Sequence, residues 1–306
     1  MSSREEKNKA IQDKLESTEK KEKRIKLIKK IIKIFIITFL ILLCIFFYID
    51  YSSTNIITKE QRIKNSKIPN SMNGIKIIQF SDLDYGSIIF NNEVKKLVNA
   101  INIRKPDIVI FTGNLIAKDY KIKTKEQEQL IKELQKINTT IGKYAVSGKN
   151  DKENFNTIMN QSDFTILDNS YDLIYNTDNN PMLIVGLSSL NQKERDVDTA
   201  YKYFSEETHN SNIYTISIMS ETDGLDDILS KYSSDLVLAG NSLNGEIRLP
   251  IIGGLTTKEG SKKYKDSYYK VNNTNIYVSS GISSPDIGFR LFNPPSINLF
   301  RLTNKK

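Results

Sequence analysis

One cysteine and one histidine in 306 residues are the most restrictive shortages of this sequence. Cys44 lies inside an apolar run, which excludes a disulfide framework and a cysteine-based metal site. His209 sits in the polar stretch "SEETHNSN" and reads as a solvated loop residue. With no second histidine, the chain can build neither a Ser-His-Asp triad around Ser220 nor a metal centre lined by several imidazoles. The segment "GGLTTKEG" has glycines and threonines but not the GxxxxGK[ST] spacing, so a phosphate-cradling loop of that type is excluded. Positive charge is short where it would matter for nucleic acid. Of the net +8, residues 1–33 supply +6 through 12 Lys/Arg and 6 Asp/Glu, and the remainder is nearly neutral. A partner read through its phosphates needs a clustered basic face, so no nucleic acid is expected.

What is present first is a membrane signal. In "KIFIITFLILLCIFFYIDY" residues 34–49 carry no charge, and Ile31 and Ile32 extend the run past Lys33, whose stem can snorkel. The segment from Ile31 to Tyr51 is long enough to cross a bilayer. Arg24, Lys26, Lys29, Lys30 and Lys33 precede it, while Asp50 and the aromatic residues Tyr48 and Tyr51 stand at its other end. This bias predicts a cytoplasmic N-terminus and an extracytoplasmic remainder on a single-pass cell-membrane protein. A cleaved signal peptide calls for a shorter apolar region and a small-residue cleavage site, which "IDYSSTN" offers only weakly. The division expected is a charged cytoplasmic tail over 1–30, a transmembrane helix over 31–51, a linker with an edge strand over 52–74, and one folded domain over 75–306.

In that domain short apolar strands alternate with helix-length segments. "IKIIQFSD", "DIVIFTGN" and "GKYAVSG" are strands, and "NEVKKLVNAINIR" and "TKEQEQLIKELQKI" are helices. "PMLIVGLSS", "NIYTISIMS", "SDLVLAGN", "TNIYVSSG" and "SINLFRL" are further strands. The core strands end in a small residue and then a polar cluster: "SDLD", "TGN", "SGKND", "MSETD" and "AGNSLNG". An α/β protein keeps its chemistry at such a sheet edge.

The order of these clusters resembles the calcineurin-like metallophosphoesterases, in particular their membrane-anchored bacterial branch. The resemblance spans residues 75–302. It is most specific in "AGNSLNGEIRLP" and "SSGISSPDIGFRLFNPPSINLFRL". It implies an α/β fold of layered sheets flanked by helices, with two metal ions about 3.5–4 Å apart at the sheet edge. The family's ligands come from D-x-H, G-D, G-N-H-D, a lone H and G-H-x-H. Laid on those motifs, Asp82 keeps its residue, Asp84 stands for a histidine, and Asn114 stands for the bridging aspartate. Lys149 replaces the ligand asparagine, Asn150 the catalytic histidine, Ser220 the lone histidine, and Asn241 and Leu243 the final pair.

A dication pair needs a bridging anion, which an amide cannot supply, and an ammonium repels both ions. The resemblance therefore points to no intact catalytic residue and no cofactor, or to one weakly held divalent cation on Asp82, Asp84 and Asn114. Those carboxylates read equally as loop caps. Lys149 either pairs with Asp82 and Asp84 in place of the metals or points to solvent. Arg248 and Arg290 either line the cleft and meet an anion or sit in structural ion pairs. Two functions remain. One is a catalytically inactive protein binding a protein, a lipid head group or a wall-polymer precursor on the outer face of the membrane. The alternative is a metal-dependent phosphoric ester hydrolase with a rearranged site.

Overall fold

A computed structural model describes residues 3–151, 153–190, 195–205 and 212–305, in two compact units, residues 1–50 and 51–306. Helix α1, Ser3–Thr54, is charged in its first half and apolar in its second. Its apolar stretch leaves Phe35, Phe39 and Phe46 more than half exposed and is long and apolar enough to cross a membrane.

Residues 51–306 hold two six-stranded sheets and a small hairpin. The first sheet is built from β1 (Ile57–Lys64), β2 (Lys76–Phe80), β3 (Ile108–Thr112), β4 (Gly142–Val146) and β5 (Thr165–Ile166). The second takes β6 (Ser170–Ile174), β7 (Met182–Gly186), β8 (Thr215–Met219) and β9 (Leu236–Ala239). After the hairpin β10 (Arg248–Leu249) and β11 (Gly253–Gly254) come β12 (Tyr268–Val271) and β13 (Thr274–Val278) of the second sheet, and β14 (Ser296–Thr303), which returns to the first. The strand orders are β1-β14-β2-β3-β4-β5 and β12-β13-β9-β8-β7-β6. Within them β2 to β5 run parallel, as do β7, β8, β9 and β13.

The layering follows from the period of two along each strand. Ile77, Ile108, Ile110, Ile216, Ile218, Leu236 and Leu238 point into one core between the sheets. Their neighbours Ile78, Val109 and Phe111 face helices α2 (Asn91–Ile103), α3 (Thr124–Gln135) and α4 (Glu153–Gln161), packing on Leu97, Leu130 and Ile158. On the other side Val185, Val237 and Ala239 face the short helices α5 (Val197–Ala200) and α6 (Leu225–Lys231). Strands buried on both faces need apolar residues at every position, which is why they read as unbroken apolar runs. The layered α/β architecture expected from the sequence is the one observed.

The start of the folded part differs from the sequence reading. Strand β1 pairs in parallel along its whole length with β14, and Ile63, Ile68 and Met72 are buried before Ile75 is reached. The segment "ITKEQRIK" shows almost no apolar pattern because it is an edge strand held by its backbone, with its side chains largely in water.

Candidate functional site

Strands β2, β3 and β4 of one sheet and β8 and β9 of the other end at a common edge, where the loops after β2, β3, β4 and β9 line a cleft of about 520 Å³. The loops approach backbone to backbone. A Cβ at Gly148 would fall 2.4 Å from the Asn114 nitrogen, so only glycine allows the β3 and β4 loops to touch. Asp82 and Asp84 are tied to the β3 loop by their N–H groups, which donate to the Gly113 carbonyl at 2.8 Å and the Asn114 carbonyl at 3.0 Å.

Asp82 is the centre of the arrangement and both of its oxygens are engaged. Asn114 Nδ2 donates to Oδ1 at 2.9 Å, while Ser81 Oγ at 2.5 Å and the Asn241 N–H at 3.1 Å donate to Oδ2. The amide orientation of Asn114 is set by its other end, since its Oδ1 accepts the Asn150 N–H at 3.1 Å. Burial pushes the Asp82 carboxyl up, against the pull of Asn114, Ser81, Lys258 and Arg290. Asp84 is raised well above the usual carboxylate range, first by burial and then by the charge of Asp82. No residue among those described donates a hydrogen bond to its side chain. The pair is therefore unequal: Asp82 has three donors to hold its charge and Asp84 has none.

Lys149 lines the cleft but pairs with Glu259, an exposed residue of the opposite rim, and not with Asp82 or Asp84. The reading of Lys149 as a replacement for metal charge is thereby corrected; the nearby cations acting on the two carboxylates are Lys258 and Arg290. An exposed ion pair of this kind adds little. We expect Lys149→Met to move the thermal midpoint by no more than about 1 °C, and to be additive with Asp82→Asn in a double-mutant cycle. Strong coupling between the two would contradict the Lys149–Glu259 pairing.

The other candidates separate by depth. Asn150, Asn241 and Leu243 line the cleft beside Asp82, Asp84 and Asn114. Ser220 is fully buried and its hydroxyl has no hydrogen-bond partner among the described residues. Arg248 Nη1 donates to Asp266 Oδ1 at 2.7 Å and to the Asn244 carbonyl at 3.0 Å, a structural pair away from the cleft lining. Arg290 is wholly buried and donates to the carbonyls of Ser280, Ser283 and Asn293. Burial pushes the Arg290 guanidinium down to about 10, opposed by Glu246, Asp82 and Asp84. It acts on the cleft from behind. His209 lies outside the described residues.

Lys258 is the residue that sequence reasoning passed over. It lies in "GGLTTKEG", the stretch dismissed as a phosphate loop, and its ammonium bridges buried Glu246 at 3.5 Å and Asp286 while lining the cleft. A lone lysine in a polar loop carries no pattern that could have marked it.

The metal pair implied by the resemblance does not fit this donor set. At the bridging position the Asn114 amide points N–H at Asp82, so it offers a donor where a dication needs an anion. Leu243 presents carbon at the last ligand position, packed so tightly that a Cβ on Gly281 would meet its Cδ2 at 2.3 Å. Among the described residues no three His, Cys, Asp or Glu side chains form a group able to hold a metal. Five of the seven family ligand positions, Asp82, Asp84, Asn114, Asn241 and Leu243, have left-handed backbone, with φ of +50°, +41°, +58°, +61° and +51°. Asp and Asn adopt this region readily, whereas leucine there is strained.

No family model matches the chain. Individual proteins do. The uncharacterized metallophosphoesterase YkuE of Bacillus subtilis is 28% identical over 250 residues, covering 80% of this chain and 85% of its own length. An uncharacterized metallophosphoesterase of Campylobacter jejuni is 27% identical over 270 residues, covering 85% of this chain and 68% of its own. A transmembrane protein with metallophosphoesterase domain from Danio rerio is 31% identical over 49 residues, 16% of this chain and 11% of its own. In the order of its sheet-edge clusters, in its layered fold and in a similarity running through most of its length, the chain is similar to bacterial metallophosphoesterases.

Proposed function

We propose that this chain is a membrane-anchored, catalytically inactive metallophosphoesterase-like protein that acts by binding in the sheet-edge cleft on the outer face of the membrane. One observation carries the reading: the amide of Asn114 occupies the bridging position and is spent as a donor to Asp82, at 2.9 Å. Two-metal hydrolysis relies on closely spaced cations that activate a water and neutralise phosphate oxygens. Here Asp82 is held by the Asn114 side-chain amide and the Asn241 backbone N–H, and Leu243 adds an apolar wall. The ligand class follows from the lining, in which Lys118, Lys149 and Lys258 face Asp119, Glu259 and Asp286. Mixed charge of this kind suits a ligand with both acidic and basic or hydroxyl groups, such as a lipid head group, a wall-polymer precursor or a protein segment. The basic residues before the apolar run support an extracytoplasmic domain.

The test is elemental analysis of the full chain purified in detergent, together with an aryl-phosphate assay supplied with Mn²⁺. Far less than one equivalent of Mn, Fe or Zn is expected, with hydrolysis no faster than that of Asp82→Ala. Stoichiometric metal, or turnover that Asp82→Ala abolishes, would replace this reading with that of a hydrolase on a rearranged site.

A further inference from the structure

Among the described residues of the domain, the most exposed apolar side chain, Ile251, stands at the tip of the β10–β11 hairpin. Ile251 is 107% exposed and Ile252 71%, and Leu255, just past the hairpin, is 53% exposed. Residues 249–255, "LPIIGGL", include no charged side chain. A soluble domain has no use for two adjacent isoleucines held out in water on a hairpin, so the tip is shaped for an apolar phase.

The position of the hairpin says which phase. At its base the Arg248 N–H donates to the Leu291 carbonyl at 2.9 Å, and the Asn244 carbonyl lies 2.6 Å from where a Cβ on Gly254 would stand. It therefore grows out of the loop that supplies Asn241 and Leu243 to the cleft. The residue before Leu291, Arg290, donates its N–H to Ser53 Oγ at 2.8 Å, close to the point where the chain enters this domain. Strand β1 runs parallel to β14 and β14 antiparallel to β2, so β1 begins at the edge where β2, β3 and β4 end. Hairpin, cleft and chain entry share one edge. The apolar run ends at Tyr51 and β1 begins at Ile57. Six residues of chain reach at most about 20 Å, so a spanning segment keeps this edge within that distance of the bilayer.

We propose that the tip formed by Pro250, Ile251 and Ile252 dips into the membrane surface. It holds the domain with its cleft open at head-group level, so the cleft takes ligands presented by the bilayer. The occupant of the apolar tip is the lipid itself. Within the turn the Ile252 N–H is satisfied by the Pro250 carbonyl at 2.8 Å, and shallow insertion to the head-group boundary leaves the other tip backbone groups within reach of water and head groups. The inference rests on the anchored reading of the chain and is independent of whether the cleft has activity.

The test uses the full chain in vesicles of phosphatidylethanolamine and phosphatidylglycerol, with an environment-sensitive fluorophore on single cysteines. Native Cys44 reports on the span. In a Cys44→Ser background, Ile252→Cys reports on the tip and Asn273→Cys on the β12–β13 turn at the opposite edge. Acyl-chain nitroxide lipids should quench the labels at 44 and 252 at least twofold more than the label at 273, and aqueous iodide should show the reverse order. Quenching at 44 with position 252 behaving like 273 would reject the docked tip and keep the anchor. No lipid quenching at 44 would reject the anchor and the proposal together. Shielding of 252 from iodide without lipid quenching would assign the tip to a protein contact, including a second copy, and also overturn the proposal. Position 252 is exposed, so unchanged thermal midpoints are expected for the labelled variants and serve as the folding control.

Discussion

Replacing Asp151 with alanine is expected to cost about 3–5 kcal/mol, the largest loss from any single change at the cleft. Its carboxylate is buried and accepts three backbone N–H groups, from Gly148 at 2.8 Å, Asn114 at 3.0 Å and Leu115 at 2.7 Å. These donors belong to the β3 and β4 loops, so one side chain ties the two halves of the cleft floor together. Alanine leaves all three without an acceptor, and each buried orphan costs roughly 1–3 kcal/mol before relaxation. The sum is less than additive because the loops can separate and admit water. Chemical denaturation of the full chain in detergent, read by a probe in residues 51–306, measures the effect. Asp151→Asn, which keeps one acceptor oxygen, should fall between. A loss below about 1 kcal/mol for alanine would mean that the loops do not depend on this residue.

The second large effect has a pH signature. Asp84 is raised well above its ordinary value of 3.8 by burial and by Asp82, so the folded chain holds its proton more tightly than the unfolded chain does. Below the unfolded value both states are protonated and the group contributes nothing. As pH rises past about 4 the unfolded chain releases the proton first, and stability falls by about 1.4 kcal/mol per pH unit until the folded group also ionises. Asp84→Asn removes the penalty without changing shape, and asparagine suits the left-handed backbone there. The variant should therefore be more stable than the wild type at pH 8, with the gap closing toward pH 4. Asp151, pushed up to about 7 by burial, adds a slope of the same sign in both proteins, and because its charge and that of Asp82 act on Asp84, the substitution relieves them as well and changes the difference in the same direction. Parallel stability curves from pH 4 to pH 8 would refute the unequal pair.

The layered core was legible because its signal is local. A strand such as "DIVIFT", buried on both faces, must be apolar at every step, and α2 must repeat Val94, Leu97, Val98 and Ile101 on one face. The edge strand expected within 52–74 takes its bounds and its partner only from the structure, since its backbone pairing leaves no trace in "ITKEQRIK". That the side chains at the motif positions depart from the family's ligands was also legible, because it depends on residue identity alone and on a chain-wide shortage of histidine. What replaces those ligands was not. The pairs that organise the cleft join Asp82 to Asn241, 159 residues apart, and Lys149 to Glu259, 110 apart, and no spacing rule selects such partners. Lys149 sits in a ligand motif yet turns to the rim, and Arg290 looks suited to an anion yet satisfies three carbonyls.

The left-handed main chain at positions 82, 84, 114, 241 and 243 has a consequence in genetic terms. An asparagine codon is one base from an aspartate codon, and a histidine codon is one base from some codon of each of Asn, Asp and Leu. At these positions the backbone already follows a path compatible with Asp and Asn, and at Leu243 a smaller polar residue would relax it. Lineages descending from this chain can exchange donor, acceptor and ligand side chains around the cleft by single-base steps that leave the fold in place.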